Sequence, residues 1–373
     1  MQMGNIIKIN VKPSLLQWAR EQSGCGIEEI AKKLNIKPER YVNWEESGQN
    51  IPLGKLKEIS RQFKRQLAIF FLPDPPPKLK IPKDFRNIKF RGLGLSTELR
   101  LAIRRCYKFL DLARDIQGED YWNSRYSWVK AVENIMKARK AIVSIDLINW
   151  LREKLKIEID IQRKFKKPGD AFKAWRKSIE EELGIFIFQF PMPMVEIQGF
   201  CLTENPPYAV VVNSRHADTG KIFTIFHELA HIFKHESGIC WPDLSSESKD
   251  AEYEYNKFAA QFLIPDENVF PISSIEELKK YANQLKISSE VYLRRNFELN
   301  LISKKQFFDL LAELKKQPFK KPKGGSGDQL LKSQNTRGEM FYNLMMSAVH
   351  NNRVDYNTAS DALGLTIQYL TNV

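Results

Sequence analysis

Along most of the chain apolar residues recur every three or four positions, the spacing that lays a single stripe down an α-helix. This pattern predicts helices over 97–117, 122–138, 143–154, 169–183, 217–234, 246–263, 274–286, 288–300 and 303–316. Between 184 and 214 the stripe gives way to GIFIFQF, VEIQGFCLT and YAVVVNS, three runs rich in β-branched and aromatic residues. Pro191-Met192-Pro193 and Glu204-Asn205-Pro206-Pro207 punctuate them, so a small sheet with turns is expected. Residues 13–72 break into four or five short helices, and 338–373 into two or three. The expected class is α+β and mostly helical.

Two stretches interrupt the periodicity. Four prolines within Pro73-Asp74-Pro75-Pro76-Pro77, followed by Pro82, cannot continue a helix and read as a stiff extended connector. Residues 315–328, KKQPFKKPKGGSGD, are basic, rich in Pro and Gly and nearly free of apolar anchors, the composition of a mobile linker. The expected organisation is therefore a helical domain over 1–72, a proline linker and helical connecting region over 73–168, a central domain over 169–316, a flexible basic linker over 317–337 and a small helical segment over 338–373.

Composition narrows the class. The chain of 373 residues is 43% hydrophobic and 28% charged, which excludes a disordered or fibrous protein and suits two or three domains. Its longest apolar runs, such as 67–72, fall far short of the roughly 18 residues of a membrane span, and no secretory signal pattern opens the chain. Cys25, Cys106, Cys201 and Cys240 form no CxxC pair and read as reduced thiols of a cytoplasmic protein without a membrane partner. The net charge of +13 is uneven. Residues 1–91 carry 18 Lys/Arg against 9 Asp/Glu, whereas 204–269 carry 5 against 11. A basic head and an acidic middle point to different tasks.

The chemistry concentrates in Phe223-Thr224-Ile225-Phe226-His227-Glu228-Leu229-Ala230-His231, an H-E-x-x-H on a predicted helix. One turn separates His227 from His231, so both imidazoles project from one face and can hold one ion. Glu228 lies beside that face, placed to take a proton from water. Two histidines and a glutamate on so apolar a helix are costly unless paired or ligated, and zinc suits such donors. A third ligand is required. His235 continues the ladder but lies roughly 12 Å along the axis from His227, too far for one ion, and reads as a supporting or packing residue. On the next helix, Glu252 falls inside the flank of the stripe Ala251, Tyr255, Phe258, Ala259 and Phe262, with Glu254 at the opposite boundary as the reserve. Tyr208, His216 and Tyr253 are the candidates for an oxyanion donor.

FTIFHELAHIFKH followed by ExxxNxFAAQFLIP (Glu252, Asn256, Phe258 to Pro265) resembles the ImmA/IrrE family of zinc metallopeptidases over roughly 170–314. The resemblance implies a zincin-like (gluzincin) peptidase domain with a small sheet and the HExxH helix. It also implies zinc held by His227, His231 and Glu252, with Glu228 as the base. It further implies a regulatory endopeptidase of narrow range, whose substrate is a DNA-binding repressor or an antitoxin-like partner in stress, defence or mobile-element circuits. The peptide is expected to lie extended along an edge strand.

In the head, IEEIAKKLNI and VNWEESGQNIP resemble an Xre/Cro-type helix-turn-helix, with Asn35-Ile36 as the turn and Pro38 opening the second helix. Read as a DNA-binding domain, it offers Lys37, Arg40 and Asn43 to bases or phosphates, while Glu39, Glu45 and Glu46 would repel phosphate and Trp44 reads as core. The competing reading of the head is a module that docks a protein. Residues 275–301 could form a second such unit, with packing as the expected role and Arg294 and Arg295 solvated; the basic run 163–167 reads as an exposed loop, and 358–370 is too short to argue from. The rival to the peptidase is a DNA-binding regulator or antitoxin with a structural or sensory metal site, and Glu228 argues against it, since a structural site needs no base.

Overall fold

The structure, a computed structural model, describes residues 7–79, 95–139, 141–235, 239–240, 250–316 and 328–371. The chain divides into two compact units, Met1–Arg105 and Cys106–Val373. Pro82, the residues 317–327 of the expected linker and the expected helix start at 246 lie outside the described residues.

The first unit holds a two-stranded antiparallel ribbon, β1 (Lys8–Ile9) with β2 (Ile51–Pro52), and helices α1 (Pro13–Ser23), α2 (Ile27–Lys33), α3 (Pro38–Ser47) and α4 (Leu53–Gln62). Pro13 and Pro38 begin their helices, where the missing N–H would have had no intrahelical partner. Asn35 makes the α2–α3 turn at φ +51°, a conformation asparagine tolerates better than most residues. Gly48 ends α3 at φ +68°, and a Cβ there would lie 2.0 Å from Val11 O, so no larger residue fits. The apolar stripes meet in a core that includes Leu16, Ile30, Ala31, Tyr41, Trp44 and Phe63. Arg20 clamps α1 to α3 by donating to both oxygens of Glu45, at 2.8 and 2.7 Å. The proline stretch is tied back onto this unit: Lys12 Nζ donates to Pro73 O, and Leu79 N donates to Gln22 Oε1 at 2.8 Å.

Helix α5 (Thr97–Gln117) contains the division between the units. After it come α6 (Glu119–Arg125), α7 (Trp128–Arg139), α8 (Ile145–Leu155), α9 (Ile159–Lys164) and α10 (Pro168–Leu183). The strands β3 (Phe186–Phe190), β4 (Gly199–Leu202) and β5 (Ala209–Asn213) lead to α11 (Asp218–Phe233), β6 (Ile239–Cys240) and α12 (Asp250–Leu263). Helices α13 (Ile275–Gln284), α14 (Ser289–Glu298) and α15 (Lys304–Lys315) follow, then α16 (Gln329–Arg337), α17 (Glu339–His350), α18 (Tyr356–Leu363) and α19 (Ile367–Thr371). The sheet has the order β3-β5-β4-β6, with β3 and β5 parallel and the other pairs antiparallel. Every residue of β3, β4 and β5 is buried, which is why these strands read as continuous apolar runs rather than as alternation.

Three sequence expectations need correction. The helix expected over 122–138 is two, because Tyr126 Oη donates to Gly184 O at 2.8 Å and accepts from Tyr208 N at 2.7 Å, seating the chain on the end of α10 before it restarts. The last part of the expected 317–337 linker is helix α16, capped by Asp328, whose carboxylate accepts from Leu330 N. The helical segment expected over 338–373 holds α17, α18 and α19. Phe341 of α17 packs on Phe109, Phe186 and Phe188 with centroids 4.8 to 5.7 Å away, so the segment completes the core over the sheet. Arg295 is buried rather than solvated: it donates to Glu298 at 2.9 Å, pairs with Asp266 and reaches Ile264 O.

The expected connecting region also packs onto the central domain. Gln162 is fully buried and donates to Leu263 O at 3.1 Å and Leu285 O at 2.9 Å, and Arg152 donates to Ile157 O and Phe262 O. The bonds to Phe262 O and Leu263 O occupy carbonyls that the end of α12 leaves without intrahelical partners, and so fix where that helix stops. Burial lowers the Arg152 pKa to about 10. Among the described residues no helix is long and apolar enough to cross a membrane.

Candidate metal centre

Helix α11 is buried from Lys221 to Phe233, as its all-round hydrophobicity requires. It crosses the sheet at Gly199 of β4. A Cβ on that residue would stand 2.4 Å from Thr224 Cγ2 and 2.8 Å from Val211 O, so the helix reaches the strand only because glycine is there. The same point lies 3.7 Å from Glu228 Oε1, so the fully buried Glu228 carboxylate sits close beside the strand.

On the other side of Glu228, α12 packs against α11 and brings Glu252 to the two histidines. His227 Nε2 and His231 Nε2 are 3.2 Å apart, Glu252 Oε2 is 3.3 Å from the first, and Glu252 Oε1 is 3.5 Å from the second. Four donors arranged tetrahedrally about an ion at about 2.0–2.1 Å stand about 3.3 Å from one another. The two imidazole nitrogens stand at that spacing, each has one Glu252 oxygen near it, and one ligand atom from each residue lies within 4.8 Å of the others, so the three side chains can converge on a zinc-sized ion. Two imidazole nitrogens facing each other at this distance, both buried, are also difficult to satisfy with hydrogen bonds alone. Among the described residues this is the group of His, Cys, Asp and Glu side chains that can converge on one ion.

Asn256, one turn beyond Glu252, completes the arrangement. Its Oδ1 accepts from His227 Nδ1 at 2.9 Å, which puts the proton on Nδ1 and leaves Nε2 free to bind a metal. The sequence shows Asn256 only as a motif position; its role follows from sharing a helical face with Glu252. Tyr255 holds the His231 ring, with centroids 4.2 Å apart. Burial lowers the His227 pKa, but the Glu252 hydrogen bond and the charges of Glu228 and Glu252 outweigh it, leaving this imidazole above its ordinary value. Burial and the neighbouring His227 hold His231 well below. The Glu252 side chain is 31% exposed while both histidines are sealed, so the cluster opens to solvent on the α12 side.

The other candidates are not brought here. Glu254 and Tyr253 are exposed on α12, and no contact among the described residues joins them to the cluster. Tyr208 is buried against Tyr126 near Glu133, and His216 is half-buried before α11 begins. His235 pairs with Glu133 at 3.2 Å, so it supports none of the three donors directly. In the first unit, Lys37, Arg40 and Asn43 are exposed along α3, with Arg40 over the Trp44 ring at 5.2 Å and Trp44 in the core. Glu45 is taken up by Arg20, leaving Glu39 and Glu46 as the exposed acids of that helix.

A buried helix bearing two histidines a turn apart, an adjacent glutamate and a carboxylate from the following helix define a site of the metallopeptidase type. Residues 180–296 match the model of the Peptidase_M78 family, described as the IrrE N-terminal-like domain, and the match spans all four of these residues. No curated protein and no solved structure matches the chain.

Proposed function

We propose that the chain is a zinc-dependent regulatory endopeptidase that cleaves one specific protein, a DNA-binding repressor or an antitoxin, and thereby controls gene expression in a stress, defence or mobile-element circuit. The observation that supports this most is the convergence of His227, His231 and Glu252 with Glu228 buried beside them. A divalent ion there supplies Lewis acidity, acidifying water and polarising the scissile carbonyl. His227, held by Asn256, and His231, held by Tyr255, present fixed nitrogens, and Glu252 closes the third side. Glu228 takes the proton of the attacking water and returns it to the leaving amine. The partially exposed side at Glu252 is where an extended peptide would enter.

The test is incubation of zinc-loaded protein with each protein encoded beside it, and with the Glu228→Gln variant in parallel. One discrete cut made by the native chain and lost in the variant supports the reading. Cleavage that persists in the variant sinks the mechanism. Tight operator binding with no cleaved partner favours the rival regulator with a structural or sensory metal.

For the first unit, the exposed row Lys37, Arg40 and Asn43 on α3 favours a helix-turn-helix that reads DNA, and the sequestration of Glu45 by Arg20 removes one of the three acids that would oppose it. Alanine at Arg40 and Asn43 tests this through operator affinity.

A further inference from the structure

Away from α3, the first unit holds a set of arginines that no acid pairs with among the described residues. Helix α5 presents Arg100 and Arg104 one turn apart, followed by Arg105, and the chain leaving α4 places Arg65 beside them. Arg104 Nη2 donates to Lys64 O at 2.6 Å, which brings its guanidinium next to residue 65. Arg65 lies over the Trp18 ring at 4.5 Å, and its Nε is buried with no hydrogen-bond partner. Arg100 Nε donates to Leu95 O at 3.1 Å. None of the four forms an ion pair among the described residues, although most other arginines in buried or half-buried positions of this chain do or are held by several carbonyls.

Burial, and then the like charges of Arg65 and Arg105, lower the Arg104 pKa to about 9. Burial alone lowers Arg65 to about 10. Gathering partly desolvated like charges costs stability, and a fold has no structural need to do so. The chain just before α5 does not supply the missing acids: by sequence it carries Lys80, Lys83, Arg86, Lys89 and Arg91 against Asp84 alone. Guanidinium groups present planar N–H forks that match phosphate oxygens, and an anchored stack such as Arg65 on Trp18 loses little entropy when it binds.

We propose that Arg65, Arg104 and Arg105 form a phosphate-binding site that grips the backbone of duplex DNA without reading its sequence, separate from the α3 surface. The proposal rests on the reading of this unit as a DNA-binding module, and adds a positioning contact to it. Both lone-residue roles seen in the structure, the stack on Trp18 and the bond to Lys64 O, leave N–H groups for a phosphate.

Full-length protein titrated by anisotropy against a fluorescein-labelled random-sequence duplex at several salt concentrations tests it. Arg104→Gln and Arg105→Gln should each weaken binding several-fold and lower the slope of log affinity against log salt by about 1. Inorganic phosphate added at constant ionic strength should displace the duplex from the native chain. Arg105→Gln keeps the test valid if Arg104→Gln disturbs the chain after α4, because among the described residues Arg105 makes no side-chain hydrogen bond or ring contact that would be lost. Unchanged affinity and slope in Arg105→Gln, with binding lost in an Arg40→Ala/Asn43→Ala variant, overturns the phosphate site and leaves the α3 reading intact. A native chain that binds no duplex overturns both. Polyglutamate competing as well as DNA overturns the phosphate assignment, since the cluster would then be reading charge alone.

Discussion

In the second unit, His227, His231 and Glu228 are sealed on a helix buried on every side, and each donor is held by a neighbour: His227 by Asn256, His231 by Tyr255, Glu228 beside Gly199. In the first unit, Lys37, Arg40 and Asn43 stand on the exposed side of a helix whose other side makes the core. The contrast follows from what each surface would have to bind. A small ion is gripped at about 2 Å, so its ligands must be pre-positioned and dry. A polyanion is met over a long surface by flexible side chains in water, where positioning matters less than total charge. Substitutions in the two places should therefore behave differently, and the following outcomes would sharpen or break the comparison.

The largest effect is expected at Glu228. Glu228→Gln should reduce cleavage of the partner about 100- to 10,000-fold while zinc content, measured by plasma emission, stays near one per chain. A variant that loses its zinc as well would show that the carboxylate supports the site rather than the proton transfer. Next, Phe341→Ala should destabilise the second unit by about 3–5 kcal/mol in urea denaturation, because it leaves a cavity among Phe109, Phe186 and Phe188. Unchanged stability would show that 338–373 is no part of the core over the sheet. Asn256→Ala should weaken zinc binding about 10- to 100-fold in competition with a chelator, with the helix content preserved. Smallest of all, Lys37→Ala or Arg40→Ala should change the stability of the first unit by no more than about 0.5 kcal/mol while lowering operator affinity. A fall in melting temperature there would mean that α3 is a structural surface.

The metal-ligand cluster shows how much a local pattern can carry. His227 and His231 share a face by helical geometry alone, and Glu252 lies in the flank of an apolar stripe that can be drawn from the sequence. The strands at 186–190, 199–202 and 209–213 fall inside the three predicted runs, because fully buried strands leave an unbroken apolar signature. By contrast, β6 has two residues and no pattern of its own; it exists because β4 offers an edge beside it. The sequence does not choose among Tyr208, His216 and Tyr253 as oxyanion donors, since nothing local distinguishes a tyrosine packed on Tyr126 from one facing an ion.

What the sequence by itself determined is most of the longer helices, the strands at 186–190, 199–202 and 209–213, and the ligand spacing on α11, with Glu252 placed in the flank of its apolar stripe, because each is written within a few turns of one element. Only the tertiary structure decided that Asn256 sets the tautomer of His227, that Gly199 lets α11 reach β4, and that Gln162 and Arg152 end α12. The same holds for the C-terminal helices. Residues 338–373 read only as short helices, whereas in the fold Phe341 fills the sheet's core and Glu180 accepts from Met340 N at 3.2 Å. Contacts between segments far apart in the chain leave no periodic trace in either segment. The burial that makes them favourable exists only once the chain has brought both together.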